Sequence, residues 1–323
     1  MNILLVGAGA VGQVYGYHLQ KGGAKVTFMV RERYAEACRE GLNLYPLNRS
    51  AKSRWTATRF EDFDLLTSTE EVAAQAWDQV WLCMSSTALR RGTWFKELAC
   101  VLGEETTLVL LQPGLHDQQF ALSSWPVERL VTGLISFVSF QAPLPGETIE
   151  PEGVAYYLPP MSPSLFQGPQ AGQVVGALKK GGCPGKVSSD TRKSMTQGSS
   201  VLMPHLIALE LSNWSFSSLQ KSPNLKSASL ASKEAIAISM THNNFTPSML
   251  SALVQPLTMK MLLGVAPMVM PFDLENYLKY HFSKVGDQTR DFISTIIKLG
   301  KGLELPVSNL TTLEAALIAQ DNA

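Results

Sequence analysis

Apolar residues in the first half of the chain fall in short, nearly unbroken runs separated by helix-like segments. Residues 3–6, 25–30, 80–84, 107–111 and 130–138 are such runs. A strand covered by helices on both faces has no solvent side, so it reads as continuous apolarity rather than alternation. Residues 11–21, closed by Gly22-Gly23, have the look of a helix between the first two runs. This order predicts an α/β fold built on a doubly wound parallel sheet. Residues 54–60 alternate instead, which suits an antiparallel or edge strand.

The pattern then changes. Between about residues 141 and 190, eight prolines from Pro143 to Pro184 and many glycines forbid long helices. Residues 155–158 and 186–188 are strands expected to finish a first domain. From about Ser194 the β patterns fade and helical periods take over, at 227–240, 248–263, 274–284 and 288–299. The boundary expected is therefore near 190, giving domains 1–190 and 191–323, the second all-α. The serine-rich stretch 212–232 keeps apolar residues at helical spacing and is not read as disordered.

Composition narrows the function classes. A chain of 323 residues suits two domains. Apolar residues at 45% can build real cores, and charged residues at 17% are too few for a solvated, disordered chain. The 27 basic residues equal the 27 acidic ones, so no global field recruits nucleic acid or an anionic membrane. No apolar stretch approaches the roughly eighteen residues of a membrane span. The start lacks a basic segment and is cut short by Gly7, which favours a buried strand over a signal peptide. Cys38, Cys83, Cys100 and Cys183 are scattered without metal-ligand spacing, as in a reduced, cytoplasmic protein.

Gly7-Ala8-Gly9-Ala10-Val11-Gly12 is a G-x-G-x-x-G directly after the first strand and opening the first helix. Gly7 permits the tight turn, Gly9 removes a side chain where a pyrophosphate must approach backbone, and Gly12 lets helix and strand pack closely. Free N–H groups at the helix start then bind the phosphates. In this strand–turn–helix context the motif predicts a Rossmann-type dinucleotide domain. The second run ends Val30-Arg31-Glu32-Arg33. A carboxylate there would bind a ribose 2′-hydroxyl, whereas the Arg31 guanidinium can grip a 2′-phosphate, so NADPH is the cofactor expected. Glu32 leaves the other choice open, since a shift of one position would put an acid at the ribose.

The glycine motif followed by Tyr15-Gly16, the strand closing on Arg31, Leu111-Gln112-Pro113-Gly114-Leu115 beside L-Q-N-G-L, Gly133, Pro145-Gly146, and Gly302-Leu303-Glu304-Leu305-Pro306 beside a closing G-x-x-x-P resemble the ketopantoate reductase (2-dehydropantoate 2-reductase) family. The likeness is dense over the first 150 residues and sparse afterwards. It implies hydride transfer from NADPH to the ketone of a 2-oxo acid or a related small carbonyl substrate. It also implies cofactor contacts from Gly7, Ala8, Gly9, Ala10, Val11, Gly12, Arg31, Ser85, Gln112 and Gly114.

Against that family, several groups are replaced. The lysine of the strand-four loop falls on Ser85 or Ser86, and the asparagine of L-Q-N-G is Pro113, which cannot donate. The catalytic lysine falls on Met195 when Met203-Pro204-His205-Leu206 is laid on the family's N-P-L-T. It falls on Gln197 or Gly198 when Asp190 is the anchor. The first choice puts the asparagines on Ser199 and Met203. The family glutamate falls near Asp273 or Glu275.

Three residues are candidates for the missing chemistry. Lys193 is the nearest cation, although two residues along a helix turn a side chain by about 200°. Asp273, Tyr277, His281 and Lys284 recur at helical spacing on one face, and histidine as a residue type can serve as a proton donor near neutral pH. A charge-laced surface explains the same face, and a solvated lysine explains Lys193. His116 follows the glycine loop, His205 sits among apolar neighbours as a core residue would, and Trp77, Trp81 and Trp94 read as packing. The partner expected is a small carbonyl molecule, with homodimerisation left open. The other reading is a protein that keeps NADP(H) binding and has lost turnover, serving as a sensor or interaction partner.

Overall fold

The computed structural model describes residues 1–112, 116–246, 250–284 and 286–322. The chain divides into two compact units, Met1–Thr191 and Arg192–Ala323. The first is the α/β domain and the second is helical.

Among the described residues the first unit holds twelve strands, in chain order β1 (Asn2–Val6), β2 (Lys25–Met29), β3 (Leu42–Pro46), β4 (Thr58–Phe60), β5 (Asp64–Leu66), β6 (Gln79–Leu82), β7 (Thr107–Leu110), β8 (Leu130–Leu134), β9 (Val138–Ala142), β10 (Gly153–Tyr157), β11 (Ser164–Gln167) and β12 (Gly185–Val187). The large sheet runs β12-β11-β8-β7-β6-β1-β2-β5, parallel throughout except where β11 meets β8. A smaller sheet runs β4-β3-β10-β9.

Burial explains why the central strands lack alternation. Ile3 and Leu5 of β1, Trp81 of β6 and Val109 of β7 enter a core with Val14, Tyr15 and Leu19 of helix Ala10–Lys21. Leu4, Val6, Val80, Leu82, Leu108 and Leu110 enter a second core, on the other face, with Phe95 and Leu98 of helix Trp94–Val101. Both faces exclude water, so both sets of positions are apolar.

Two sequence expectations need correction here. Residues 130–138 are not one strand. The chain leaves the large sheet at Ser136, whose N–H donates to Ser164 Oγ (3.3 Å) and whose hydroxyl donates to the Ser162 carbonyl (2.5 Å). It then enters the small sheet as β9. Of the alternating stretch 54–60 only β4 is strand, antiparallel to β3 at the sheet edge.

The helical unit packs Thr191–Glu210, Phe216–Lys221, Asn224–His242, Gly286–Gly302 and Ser308–Asp321 around one core. Ala228, Ala231 and Ala235 are fully buried, and small side chains let Asn224–His242 approach its neighbours closely. Gly300 serves the same end, since a Cβ there would lie 2.4 Å from Val307 Cγ1 and 2.6 Å from Ile238 Cδ1. The serine-rich stretch is largely helical: the Ser212 and Ser229 hydroxyls donate to the carbonyls of Ala208 and Leu225 four residues back, which satisfies them where they are buried. The helix expected over 248–263 falls partly outside the described residues and is otherwise two pieces, Leu250–Leu253 and Pro256–Val269. Gln255 is extended (φ −115°, ψ 148°), the conformation favoured before a proline, and Pro256 has no N–H to continue the ladder. No single helix among the described residues is long and apolar enough to cross a membrane.

Candidate nucleotide-binding site

The carboxyl ends of β1, β2, β5 and β6 converge on a cleft of about 850 Å³ in the first unit. In open α/β sheets this is where ligands bind. Val6, Gly7, Ala8 and Gly9 form one wall, Val30, Arg31 and Tyr34 a second, and Thr67, Met84 and Ser85 line it beyond.

Each glycine of the turn performs the task its position predicts. Gly7 has φ +106°, a region that L side chains rarely adopt, and its N–H donates to the Met29 carbonyl (2.9 Å). A Cβ on Gly12 would lie 2.2 Å from the Gly7 oxygen, so only hydrogen lets the helix start so close to the strand. A Cβ on Gly9 would meet nothing within 4 Å. The space beside Gly9 is therefore open to a ligand rather than filled by protein. Ala10, Val11 and Gly12 form the first turn of helix Ala10–Lys21, whose leading N–H groups have no partner further up the helix. Gln13 lines the cleft, its amide held by the Ala8 carbonyl (2.8 Å).

Arg31 precedes helix Glu32–Arg39, is exposed, and lines the cleft, while Glu32 does not. Among the described residues no carboxylate pairs with Arg31, whereas Arg33 stacks over the Tyr34 ring at 4.7 Å. Across the cleft, Glu71 Oε2 accepts from the N–H groups of Thr67 (2.7 Å) and Ser68 (3.1 Å), closing a capping box that fixes Thr67. Those backbone N–H groups hold the Glu71 carboxyl below the usual carboxylate range.

Ser85 caps helix Ser86–Leu89, accepting from the Ala88 N–H (3.3 Å), and faces the cleft. Ser86 is instead buried, its hydroxyl donating to Asp117 Oδ2 (2.6 Å). Gln112 is a binding candidate that does not line the cleft. Its amide donates to the carbonyls of Leu82 (2.9 Å) and Met84 (2.7 Å), so it shapes the β6 loop from behind. Gly114, with Pro113 and Leu115, lies outside the described residues. Burial pushes the Cys83 thiol up, so a neutral side chain packs beneath the turn.

The catalytic candidates all lie in the second unit. Lys193 donates to Thr246 Oγ1 (2.7 Å). Asp273 is exposed and caps its own helix, Oδ1 accepting from the Asn276 N–H (3.0 Å). His281, near the other end of that helix, stacks on Tyr277 with ring centroids 5.5 Å apart, and burial pushes the Tyr277 phenol up to about 12. His205 is a core residue, with Nδ1 2.8 Å from the Val201 carbonyl oxygen. Trp77 and Trp81 pack inside as read, but Trp94 lines the cleft while donating to the Ala88 carbonyl. The sequence reading also missed Tyr34, Thr67 and Gln141 as cleft residues. Thr67 was findable only by recognising three-residue β5, whose end it follows.

A parallel sheet whose strand ends surround a glycine turn, joined to a helical unit, defines the two-domain Rossmann-type class. Residues 3–149 match the family model described as Ketopantoate reductase PanE/ApbA. No curated protein matches the chain in sequence. Among solved structures, a PanE/ApbA family ketopantoate reductase from Ralstonia eutropha JMP134 is similar at 15% identity and TM-score 0.74, covering 99% of this chain and 98% of that one. A ternary complex of D-mandelate dehydrogenase with NADH and anilino(oxo)acetate is similar at 14% identity and TM-score 0.74, covering 100% and 98%. The 2-dehydropantoate 2-reductase from Geobacter metallireducens GS-15 is similar at 17% and TM-score 0.66, covering 99% and 100%. At these identities the likeness is one of fold.

Proposed function

We propose that the chain is a nicotinamide-dinucleotide oxidoreductase that takes NADPH and reduces the ketone of a 2-oxo acid or a related small carbonyl compound. The observation that carries this reading is the open space beside Gly9, at a helix start, in the same cleft as Arg31, which pairs with no carboxylate among the described residues. Backbone N–H groups after Gly9 would hold the pyrophosphate, and the Arg31 fork would hold a 2′-phosphate. NADPH, when bound, supplies the hydride. The family model and the fold neighbours support the class: one neighbour is a PanE/ApbA family ketopantoate reductase, and another is D-mandelate dehydrogenase in complex with NADH and anilino(oxo)acetate.

His281 is the residue we assign as proton donor, ahead of Lys193 and Asp273. Removal of a general acid costs about 10²–10⁴-fold in rate. The test follows NADPH oxidation with ketopantoate and a panel of 2-oxo acids, for the natural chain and His281→Ala. Turnover lost by about that factor in the variant supports the assignment; turnover unchanged removes it.

A second reading has its own support. The lysine that the family resemblance expects falls on Ser85, which lines the cleft, or on buried Ser86, and neither is a cation. A nucleotide sensor without turnover would then show NADPH binding but no oxidation with any member of the panel.

A further inference from the structure

The small sheet turns one face toward helix Ala10–Lys21. Leu42 and Leu44 of β3 and Val154 and Tyr156 of β10 lie on that face, buried in the same core as Val14, Tyr15 and Leu19 of the helix. The ladder carries the face one strand further, since Leu44 pairs with Val154 and Val154 with Gln141 of β9. Directly opposed residues point to the same side of a sheet, so Gln141 continues the row of Leu44 and Val154. It breaks the pattern of that row. Its neighbours are apolar and buried, whereas Gln141 is polar, exposed and lines the nucleotide cleft. Among the described residues its carboxamide has no hydrogen-bond partner.

Sheet order sets which half of a dinucleotide meets this residue. β1, which leads into the glycine turn, lies between β2 and β6. A pyrophosphate held on that turn sends one nucleoside toward β2 and the other toward β6. Arg31 follows β2, so the nucleoside on that side is the adenosine with its 2′-phosphate. The cleft wall there comes from the chain between β2 and β3, with Tyr34 and Leu42, and from Gln141. Tyr34 is 51% exposed, and the Arg33 guanidinium lies 4.7 Å from its ring centroid.

We infer that Gln141 reads the adenine base of the bound nucleotide, its carboxamide matching the N6 amino donor and the N7 acceptor along the purine edge. The inference rests on the nucleotide reading above and adds the base to it. A purine is held by a flat surface on which to stack and by a donor–acceptor pair at its edge. The Tyr34 ring supplies the first and Gln141 the second. A neutral amide has no charge with which to tell a 2′-phosphate from a hydroxyl. Base selectivity and phosphate selectivity therefore come from different residues, Gln141 and Arg31.

The test is fluorescence titration of the full chain with NADPH and with reduced nicotinamide hypoxanthine dinucleotide phosphate, in which an oxygen replaces the N6 amino group. Gln141→Leu, which keeps the bulk and removes both polar groups, is titrated alongside. A two-bond amide–adenine pair discriminates by about 5- to 100-fold. The natural chain should bind NADPH at least about 5-fold tighter than the hypoxanthine analogue, and the variant should bind the two equally. The preference of the variant for NADPH over NADH should stay intact, because Arg31 is untouched. Equal affinity of the natural chain for the two bases overturns the inference and leaves Gln141 a solvated amide at a sheet end. A base preference that survives in Gln141→Leu overturns it as well. Failure of the natural chain to bind any of the nucleotides is a separate result, which removes the proposed function and this inference with it. Gln141 is exposed, so the far-ultraviolet spectrum of the variant should match that of the natural chain; should the variant not fold, Gln141→Ala takes its place in the same comparison.

Discussion

At the scale of single residues, the most informative position is Arg31. It lines the cleft and has no carboxylate partner among the described residues, so its charge is available to a ligand. Charge-assisted hydrogen bonds contribute about 1.5–3 kcal/mol, which corresponds to about 10- to 100-fold in affinity. Arg31→Ala should weaken NADPH binding by that factor and leave NADH binding nearly unchanged, as read by fluorescence titration of each nucleotide. Equal losses for both would remove the 2′-phosphate assignment. Gly12 makes a different prediction. Its added methyl in Gly12→Ala would collide with the Gly7 carbonyl at 2.2 Å, and neither atom lies on a flexible side chain. Overpacking of this kind costs about 1–3 kcal/mol, so the urea midpoint should fall and affinity for both nucleotides should fall with it.

Two buried histidines set an acid limit. Burial lowers the pKa of both His18 and His205. His18 has Nδ1 2.8 Å from the Gly181 carbonyl oxygen, and its Nε2 is buried without a hydrogen-bond partner among the described residues. A proton added there would be a buried, unsatisfied charge. Because the folded chain binds fewer protons than the unfolded one, this stability is fully present above the unfolded value of about 6.5 and falls as pH drops below it toward the folded pKa. A melting temperature that is flat above pH 7 and declines as pH falls below about 6.5 is expected from thermal scans. No change over that window would contradict it. Glu71 and Asp321, whose pKa values are depressed, contribute stability that is fully present above the ordinary carboxylate range and is lost only at lower pH, outside this window.

Among elements, the cap on the last helix comes from a side chain of another helix. Glu234, on helix Asn224–His242, accepts from the N–H groups of Asn309 (3.0 Å) and Leu310 (3.0 Å) and from the Asn309 side chain (2.6 Å) at the start of Ser308–Asp321. Those donors have no partner within their own helix. Glu234→Ala leaves them to water and should cost about 1–2 kcal/mol, with Glu234→Gln recovering part of it. Urea unfolding followed by circular dichroism would measure both; a midpoint within error of the natural chain would refute the capping role.

The same scale shows what the sequence made legible. Central strands and the helices Ala10–Lys21 and Leu274–Lys284 stood out because one environment governs each along its whole length. β3, β5 and β11 did not. β5 is three residues long, and β3 contains Asn43 and Pro46, so neither carries a periodic signal of its own. The break after Leu134 was also hidden, because residues 130–138 stay largely apolar while the ladder they serve changes. For the site, Gly7, Gly9, Gly12 and Arg31 were readable because backbone geometry and charge demand those residue types. Tyr34, Thr67, Trp94 and Gln141 were not: any of several side chains could line that wall, and only the fold brings them there. Gln112 was read as a ligand contact because of its motif, yet its amide is held by two strand-end carbonyls.

For the whole molecule, the α/β unit carries the cleft, whose lining lies wholly within the first unit, and the helical unit carries the residues we assign to proton donation.

The central claim is that the Gly7–Gly12 turn and Arg31 together hold NADPH. Isothermal titration calorimetry of the purified chain with NADPH and with NADH tests it most directly. One-site binding of NADPH, at least about 10-fold tighter than NADH, is the predicted result. Absence of heat with either nucleotide, or equal affinity for the two, would contradict it.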